Sequence, residues 1–356
     1  MDKSALITGG CGFIGSSLAV ALARAGWQVT CLDNLSRRGS ELILERLREH
    51  GCGFVHADIR CPEDLAKVAQ RGGVLIECSA EPSVLAGSRG ELARGMLANN
   101  LVGALNCFEL ARERGMAVVF FSSSRVYPYD RINALRFEEV ATRFELAEAS
   151  AGVSRQGIDT GFSLEGRRSL YGATKLAGEL VLQEYSAQFE VPAVINRCGV
   201  VAGPWQLGKV DQGVFTFWLA AHHFQRPLRY LGFGGTGKQV RDLLHVGDLA
   251  ELVLRQLEHL GELRGEVFNA GGSTVANLSL QETTALCREI TGSKVLVEPC
   301  LESRPADVVW YLTDNRKAQE RFGWTPRRDA RAILADTYAW LREHERELAR
   351  VLGFDS

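Results

Sequence analysis

Short apolar runs alternate with stretches of helical periodicity through the first half of the chain. Strands are expected at Ser4–Thr8, 27–32, Gly53–His56, 74–78, 117–122 and 191–201. Helices are expected between them, at 15–25, 100–114 and 171–189. That alternation implies βαβ units, and hence an α/β fold around a doubly wound parallel sheet. Residues 129–168 break the rhythm. They are polar, carry Glu138, Glu139, Glu145 and Glu148, and hold glycines at 152, 157, 161 and 166. A long insertion between two site motifs is more often functional than idle.

From Trp205 onward the pattern turns irregular, with GFGGTGK and NAGGSTVANLS among short helices. A smaller, mixed C-terminal lobe covering the strand ends is expected, where ligands bind in open α/β sheets. Residues 241–257 read as a helix returning to the first lobe. The expected domains are therefore 1–204 with about 241–262 returning, and a second lobe of 205–240 and 263–356. The tail, 329–352, reads as one amphipathic, charge-rich helix.

Composition narrows the class without naming a task. The chain has 356 residues, 46% hydrophobic and 24% charged, an ordinary soluble profile with room for two fused lobes. A net charge of -2 gives no electrostatic case for nucleic acid or an anionic membrane. No run approaches the roughly 18 to 20 apolar residues of a membrane span. MDKSALITGG lacks a signal-peptide pattern and already reads as the first strand. Nine cysteines occur singly, without a CxxC pair. Reduced thiols of a cytoplasmic protein are the simplest reading, and no metal is expected.

Two local patterns carry chemistry. Tyr171 and Lys175 stand four apart in SLYGATKLAGE and share one helix face. An ammonium beside a phenol favours the phenolate, and such a tyrosine can move a proton to or from a sugar or alcohol hydroxyl. TGGCGFIG places Gly9, Gly12 and Gly15 between a strand and a helix, where backbone must approach a pyrophosphate at a helix N-terminus. Asp33 closes the second strand in LDN, where a carboxylate accepts hydrogen bonds from an adenosine ribose. A 2′-phosphate would meet a like charge there, so NAD is favoured over NADP, although Arg37 and Arg38 temper that preference. Asp58 in HADIR follows the third strand and is read either as an adenine contact or as a loop cap.

TGGCGFIG, LDN, ADIR, FFSSSRVY and YGATK stand in an order that resembles the extended short-chain dehydrogenases/reductases, the nucleotide-sugar epimerase/dehydratase family. RCGVVAGPWQ, GTGKQVRDLLHVGDLA, VFNAGG and FGWTP extend the resemblance to about Pro326. It implies a Rossmann sheet with bound NAD, a nucleotide-diphosphate sugar as substrate, and a role in carbohydrate biosynthesis. By the resemblance Ser123 hydrogen-bonds the reacting sugar oxygen, Tyr171 takes the proton, and Lys175 holds the cofactor ribose. The implied cofactor contacts add Phe13, Ile14 and Asn34 near the glycine loop and the second strand. They also add Ile59, Ala80 and Asn100.

Family dehydratases place an Asp-Glu pair after the hydroxyl residue; this chain has Ser124 and Arg125. Without those carboxylates a 4,6-elimination loses its proton-transfer groups, so epimerisation is the better reading. A dehydrogenase, a reductase or a dehydratase is the alternative, and a noncatalytic dinucleotide-binding scaffold a third. GPWQLGKVDQG, GKQVRDLLHVGDL and the insertion are most similar to the CDP-paratose (CDP-tyvelose) 2-epimerase subgroup. The resemblance then sets Gln212, Ser124 and Arg125 beside the substrate, Arg241 and Arg304 on its diphosphate, and Asp307 on the nucleotide ribose. Surface salt bridges are the alternative for the two arginines. Arg125, Arg136 and Arg143 are read as pairing with the insertion's glutamates or as facing the pocket.

Several positions depart from the pattern. Glu77-Cys78-Ser79-Ala80 stands for the usual HLAA, Pro128 for the glycine of VYG, and Glu81-Pro82-Ser83 for Gln-Pro-Ser. A homodimer is implied by the resemblance, its contact made by the helices at 100–114 and 171–189.

Overall fold

A computed structural model describes residues 2–83, 90–207 and 213–354, with only the backbone of 90–92. The chain begins with β1 (Ser4–Thr8), α1 (Phe13–Arg24), β2 (Gln28–Asp33), α2 (Ser40–Glu49), β3 (Gly53–His56) and α3 (Pro62–Ala66). β4 (Val74–Glu77), α4 (Gly90–Leu97), α5 (Gly103–Arg114) and β5 (Ala117–Ser123) follow. The insertion holds α6 (Tyr129–Asn133) and two hairpins. These are β6 (Phe137–Glu139) with β7 (Phe144–Leu146), and β8 (Val153–Ser154) with β9 (Gly157–Ile158). Next come α7 (Leu170–Phe189), β10 (Ala193–Cys198), β11 (Val200–Ala202), α8 (Val214–His223), β12 (Leu228–Leu231) and β13 (Val240–His245). α9 (Val246–His259), β14 (Arg264–Ala270), β15 (Asn277–Ser279), α10 (Leu280–Thr291), β16 (Val297–Cys300) and β17 (Trp310–Tyr311) lead to α11 (Arg316–Phe322), α12 (Ala330–Glu343) and α13 (Glu345–Leu352).

Seven strands form one sheet in the order β14-β10-β5-β4-β1-β2-β3. The pairs of β1 with β2 and β4, of β2 with β3, and of β4 with β5 are parallel. The order reverses beside β1, which makes the sheet doubly wound, as expected, and opens a crevice at the carboxyl ends of β1 and β4. These strands are buried on both faces and accordingly carry continuous apolar stretches, residues 5–7 and 74–76.

The chain divides into two compact units. The first comprises 1–126, 170–197 and 250–268, and the second 127–169, 198–249 and 269–356. Phe108, Phe120, Leu182 and Ile195 lie in the core of the first, where Phe108 meets Phe120 edge-on at 5.4 Å. Phe215, Trp218, Leu243, Ile333 and Leu334 fill the second. The insertion folds with the second unit. Phe144 donates its amide to Lys238 O (2.9 Å), Arg143 forks onto Glu282, and Ile158 donates to Leu312 O (2.8 Å). Among the described residues no helix is long and apolar enough to cross a membrane.

Three expectations need correcting. Residues 191–201 form two strands, because Gly199 lies against the Asp242 carboxylate, where a Cβ would come within 2.8 Å of Oδ1. Residues 241–257 are part strand and part helix, since VRDLLH is buried almost throughout and such a run has no periodicity to separate the two states. The tail is two helices that break at His344, with Asp329 capping the first by accepting from Ala332 N (2.8 Å).

Candidate active site

The turn from β1 into α1 is set by glycines. Gly9 has φ +63°, a conformation that side chains disfavour, and a Cβ on Gly15 would lie 2.2 Å from Gly9 O. Gly12 caps α1 without a side chain, so no side chain competes for the helix's first amides, those of Phe13, Ile14 and Gly15. Asp33 ties this turn to the end of β2. Its carboxylate accepts from Cys11 N (3.0 Å) and Leu35 N (2.8 Å). Burial raises the Asp33 pKa, and the Leu35 and Cys11 amides pull it back. The same burial, with Asp33 beside it, pushes the Cys11 thiol up to about 12.

Asn34 and Asp58 meet, with Asn34 Nδ2 donating to Asp58 Oδ2 at 3.0 Å. Arg60 also grips that carboxylate (2.5 Å) and holds its pKa well below the usual range. Ile59 is a core residue whose side chain packs against Gly103. Ala80 is half-buried in the loop after β4. Asn100 lies in a π-helical turn, Ala98–Val102, and clamps that loop: its Oδ1 accepts from Glu81 N (2.7 Å) and its Nδ2 donates to Glu81 O (3.0 Å). Such turns recur at functional sites.

Ser123 ends β5 and leads into a 3₁₀ turn, Ser124–Val126, in which Arg125 N donates to Ser123 Oγ at 3.2 Å. The start of α7 presses on this turn. A Cβ on Gly172 would fall 2.0 Å from Arg125 O, so the backbone beside Tyr171 lies against the backbone that follows Ser123. Tyr171 and Ser123 are half-buried, while Lys175 is 2% exposed. Lys175 Nζ lies 3.6 Å from Glu77 Oε2 and 4.7 Å from the Phe120 ring centroid. One turn on, Glu179 accepts from Ser122 Oγ and from the Arg197 guanidinium (2.7 Å). A stripe of Tyr171, Lys175 and Glu179 thus runs along one face of α7.

In the second unit, Arg241 pairs with Asp307 (2.6 Å) and donates to Val308 O (2.5 Å). Arg304 is half-buried nearby in sequence, and its carbonyl accepts from Asp307 N (3.3 Å). Arg136 pairs within the insertion, with Glu148 (3.3 Å), whereas Arg143 pairs outside it. Gln212 lies outside the described residues.

The model of the NAD dependent epimerase/dehydratase family matches residues 5–271. The chain belongs to that family. The CDP-paratose 2-epimerase of Salmonella typhi is 28% identical over 350 residues, covering 94% of this chain and 98% of that protein. A dTDP-glucose 4,6-dehydratase of Streptomyces niveus is also 28% identical, over 95% and 93%. The solved UDP-glucose 4-epimerase of Thermus thermophilus, a complex with NAD, superposes with a TM-score of 0.73 at 25% identity, covering 95% of this chain and 99% of that one.

NAD is this family's cofactor, in agreement with the expectation from Asp33. The residues present fit it: a turn too tight for any side chain, uncapped helix amides and a carboxylate at the end of β2. Two groups were not legible as partners in the sequence. Glu77 stands out there as a departure from HLAA but not as the neighbour of Lys175, and Asp242 is hidden beside Arg241.

Proposed function

We propose that this family member is a nucleotide-sugar epimerase, inverting one sugar carbon through a transient keto sugar, most similar in kind to CDP-paratose 2-epimerisation. The observation that carries the reading is the 3₁₀ turn after Ser123. Its residues are Ser124, Arg125 and Val126, so no carboxylate follows the hydroxyl residue, and an elimination has no acid and base at that turn. NAD, when bound, supplies the reversible redox step. Tyr171 then accepts the proton of the sugar hydroxyl and returns it, and Ser123 orients the same oxygen by hydrogen bond. Lys175 stands on the same helix face, one turn on.

The first unit is assigned the cofactor through Gly9, Gly12, Phe13, Ile14, Gly15, Asp33 and the Asn34–Asp58 pair. The second unit is assigned the nucleotide sugar. Arg241 and Arg304 suit a diphosphate, which a guanidinium binds as a fork. Asp307 then exchanges its contact with Arg241 for a ribose hydroxyl. Two assembly-level features support a cytoplasmic homodimer. All nine cysteines are free, and Leu180 (57%) and Phe189 (51%) stand exposed on α7.

The test is product analysis by NMR in D2O, with NAD and a panel of CDP-, UDP-, GDP- and dTDP-hexoses. A stereoisomer without solvent deuterium or net NADH is expected. Keto product or accumulating NADH overturns the reading. Tyr171→Phe is expected to slow turnover at least ~100-fold with NAD binding, followed by titration, unchanged.

A further inference from the structure

The Glu77 carboxylate has no task in the chemistry proposed above, yet it is placed where that chemistry is most sensitive. It ends β4 in the middle of the sheet and is 0% exposed. Neither of its oxygens makes a hydrogen bond of ordinary geometry among the described residues. Among the described residues its ion-pair partner is Lys175, at 3.6 Å. Lys175 also lies over the face of Phe120, so the ammonium has both a ring and a carboxylate for neighbours. Moving a single charge from water into such an interior is far costlier than moving a touching pair.

Among the described residues, the other groups placed beside Glu77 carry no compensating charge. Thr8 brings a buried hydroxyl from β1, and Cys107 a fully buried thiol from α5. Burial and the nearby Glu77 both push that thiol's pKa well above its ordinary value. One turn along α7, Glu179 is already neutralised by Arg197. Burial also raises Glu77 itself, and the Lys175 ammonium is the largest influence pulling it back, with the Ser79 amide next.

We propose that Glu77 is a positioning residue for the proposed reaction, its carboxylate being the resident counter-ion that fixes the Lys175 ammonium on the Tyr171 face of α7. The role toward Tyr171 rests on the epimerase reading; the ion pair does not. The pair has a chemical consequence. A carboxylate behind the ammonium cancels part of the positive charge that an ionised group in front of it would feel. Removing the Glu77 charge is therefore expected to lower the pH at which the proposed reaction sets in.

Glu77→Gln keeps the shape and removes the charge. Its infrared difference spectrum against the native protein at neutral pH should show loss of an ionised carboxylate; loss of a protonated carboxyl overturns the proposal. Thermal unfolding of Lys175→Met, which strands the carboxylate, should fall well below native, and the double variant with Glu77→Gln should recover more than half of that loss. A double variant no more stable than Lys175→Met overturns the pair. Should Glu77→Gln alone not fold, the infrared comparison is made between the native protein and Lys175→Met, where loss of the ammonium should replace an ionised carboxylate by a protonated carboxyl; no such change overturns the proposal. None of these readouts needs turnover, so they stand apart from the fate of the epimerase reading. With an active sugar in hand, the rise of kcat with pH should move down by about one pH unit in Glu77→Gln, with KM changed less than about twofold. An unmoved profile means that Glu77 merely packs.

Discussion

Asp242 shows how one buried side chain sets a pH dependence. It is 0% exposed, and its Oδ2 accepts from Ser273 N (2.9 Å) and Thr313 N (3.0 Å). Burial pushes its pKa up to about 6, and those amides offset only part of the rise. A folded value above the unfolded one means that the protonated acid stabilises the fold. That contribution, about 3 kcal/mol, is complete below about pH 4 and is lost as pH rises through about 6. Asp242→Asn keeps an oxygen for both amides and does not ionise. Scanning calorimetry from pH 4 to 8 should therefore show the variant gaining on the native protein as pH rises, with most of the gain by pH 7. A constant difference in Tm would mean that the acid does not titrate in this window. Nothing in GKQVRDLLHVGDL announces this, because the amides that hold Asp242 arrive from Ser273 and Thr313, far along the chain.

At the scale of elements, legibility followed how local the cause is. β1 has the bounds expected of it because it is an apolar run closed by glycines, and β3 because a glycine opens it and a polar turn follows. The glycine turn and the Tyr171–Lys175 spacing are equally local, since each is set within a few residues. Gly15→Ala tests the turn directly. Its Cβ would strike Gly9 O, so NAD affinity, measured by calorimetric titration, should fall at least ~10-fold while the far-UV dichroism of the sheet stays native. Unchanged NAD affinity would remove the turn from the cofactor site. The misread segment at 241–257 failed for the converse reason. β13 pairs along its edge with β15 and β17, which arrive later in sequence, and five of its six residues are buried, so its own pattern shows no alternation. Glu77 and Lys175 are likewise neighbours only through the register of β4 against β5 and the packing of α7.

The whole molecule is less modular than its sequence suggests. The first unit is assembled from three stretches of chain, and its core joins Phe108 and Phe120 to Leu182, Ala193 and Ile195. Residues 1–126 hold five of the seven strands and the whole glycine turn, yet lack α7 and β10. Expressed alone, that fragment should bind NAD no better than background and give a dichroism spectrum without a cooperative thermal transition. The fragment extended to residue 268 should recover the transition. A cooperative fold from 1–126 would show that the later strands are dispensable.

The same interleaving has a consequence in time. β5, AVVFFSS, leaves the ribosome about 70 residues before β10, its neighbour in the finished sheet. At 5 to 20 residues per second, an apolar strand edge then waits between about 4 and 14 seconds for its partner. Through that interval the nascent chain presents a sticky edge to every other chain around it, and chaperone capture or rapid synthesis of 124–198 would govern how much of it survives to become enzyme.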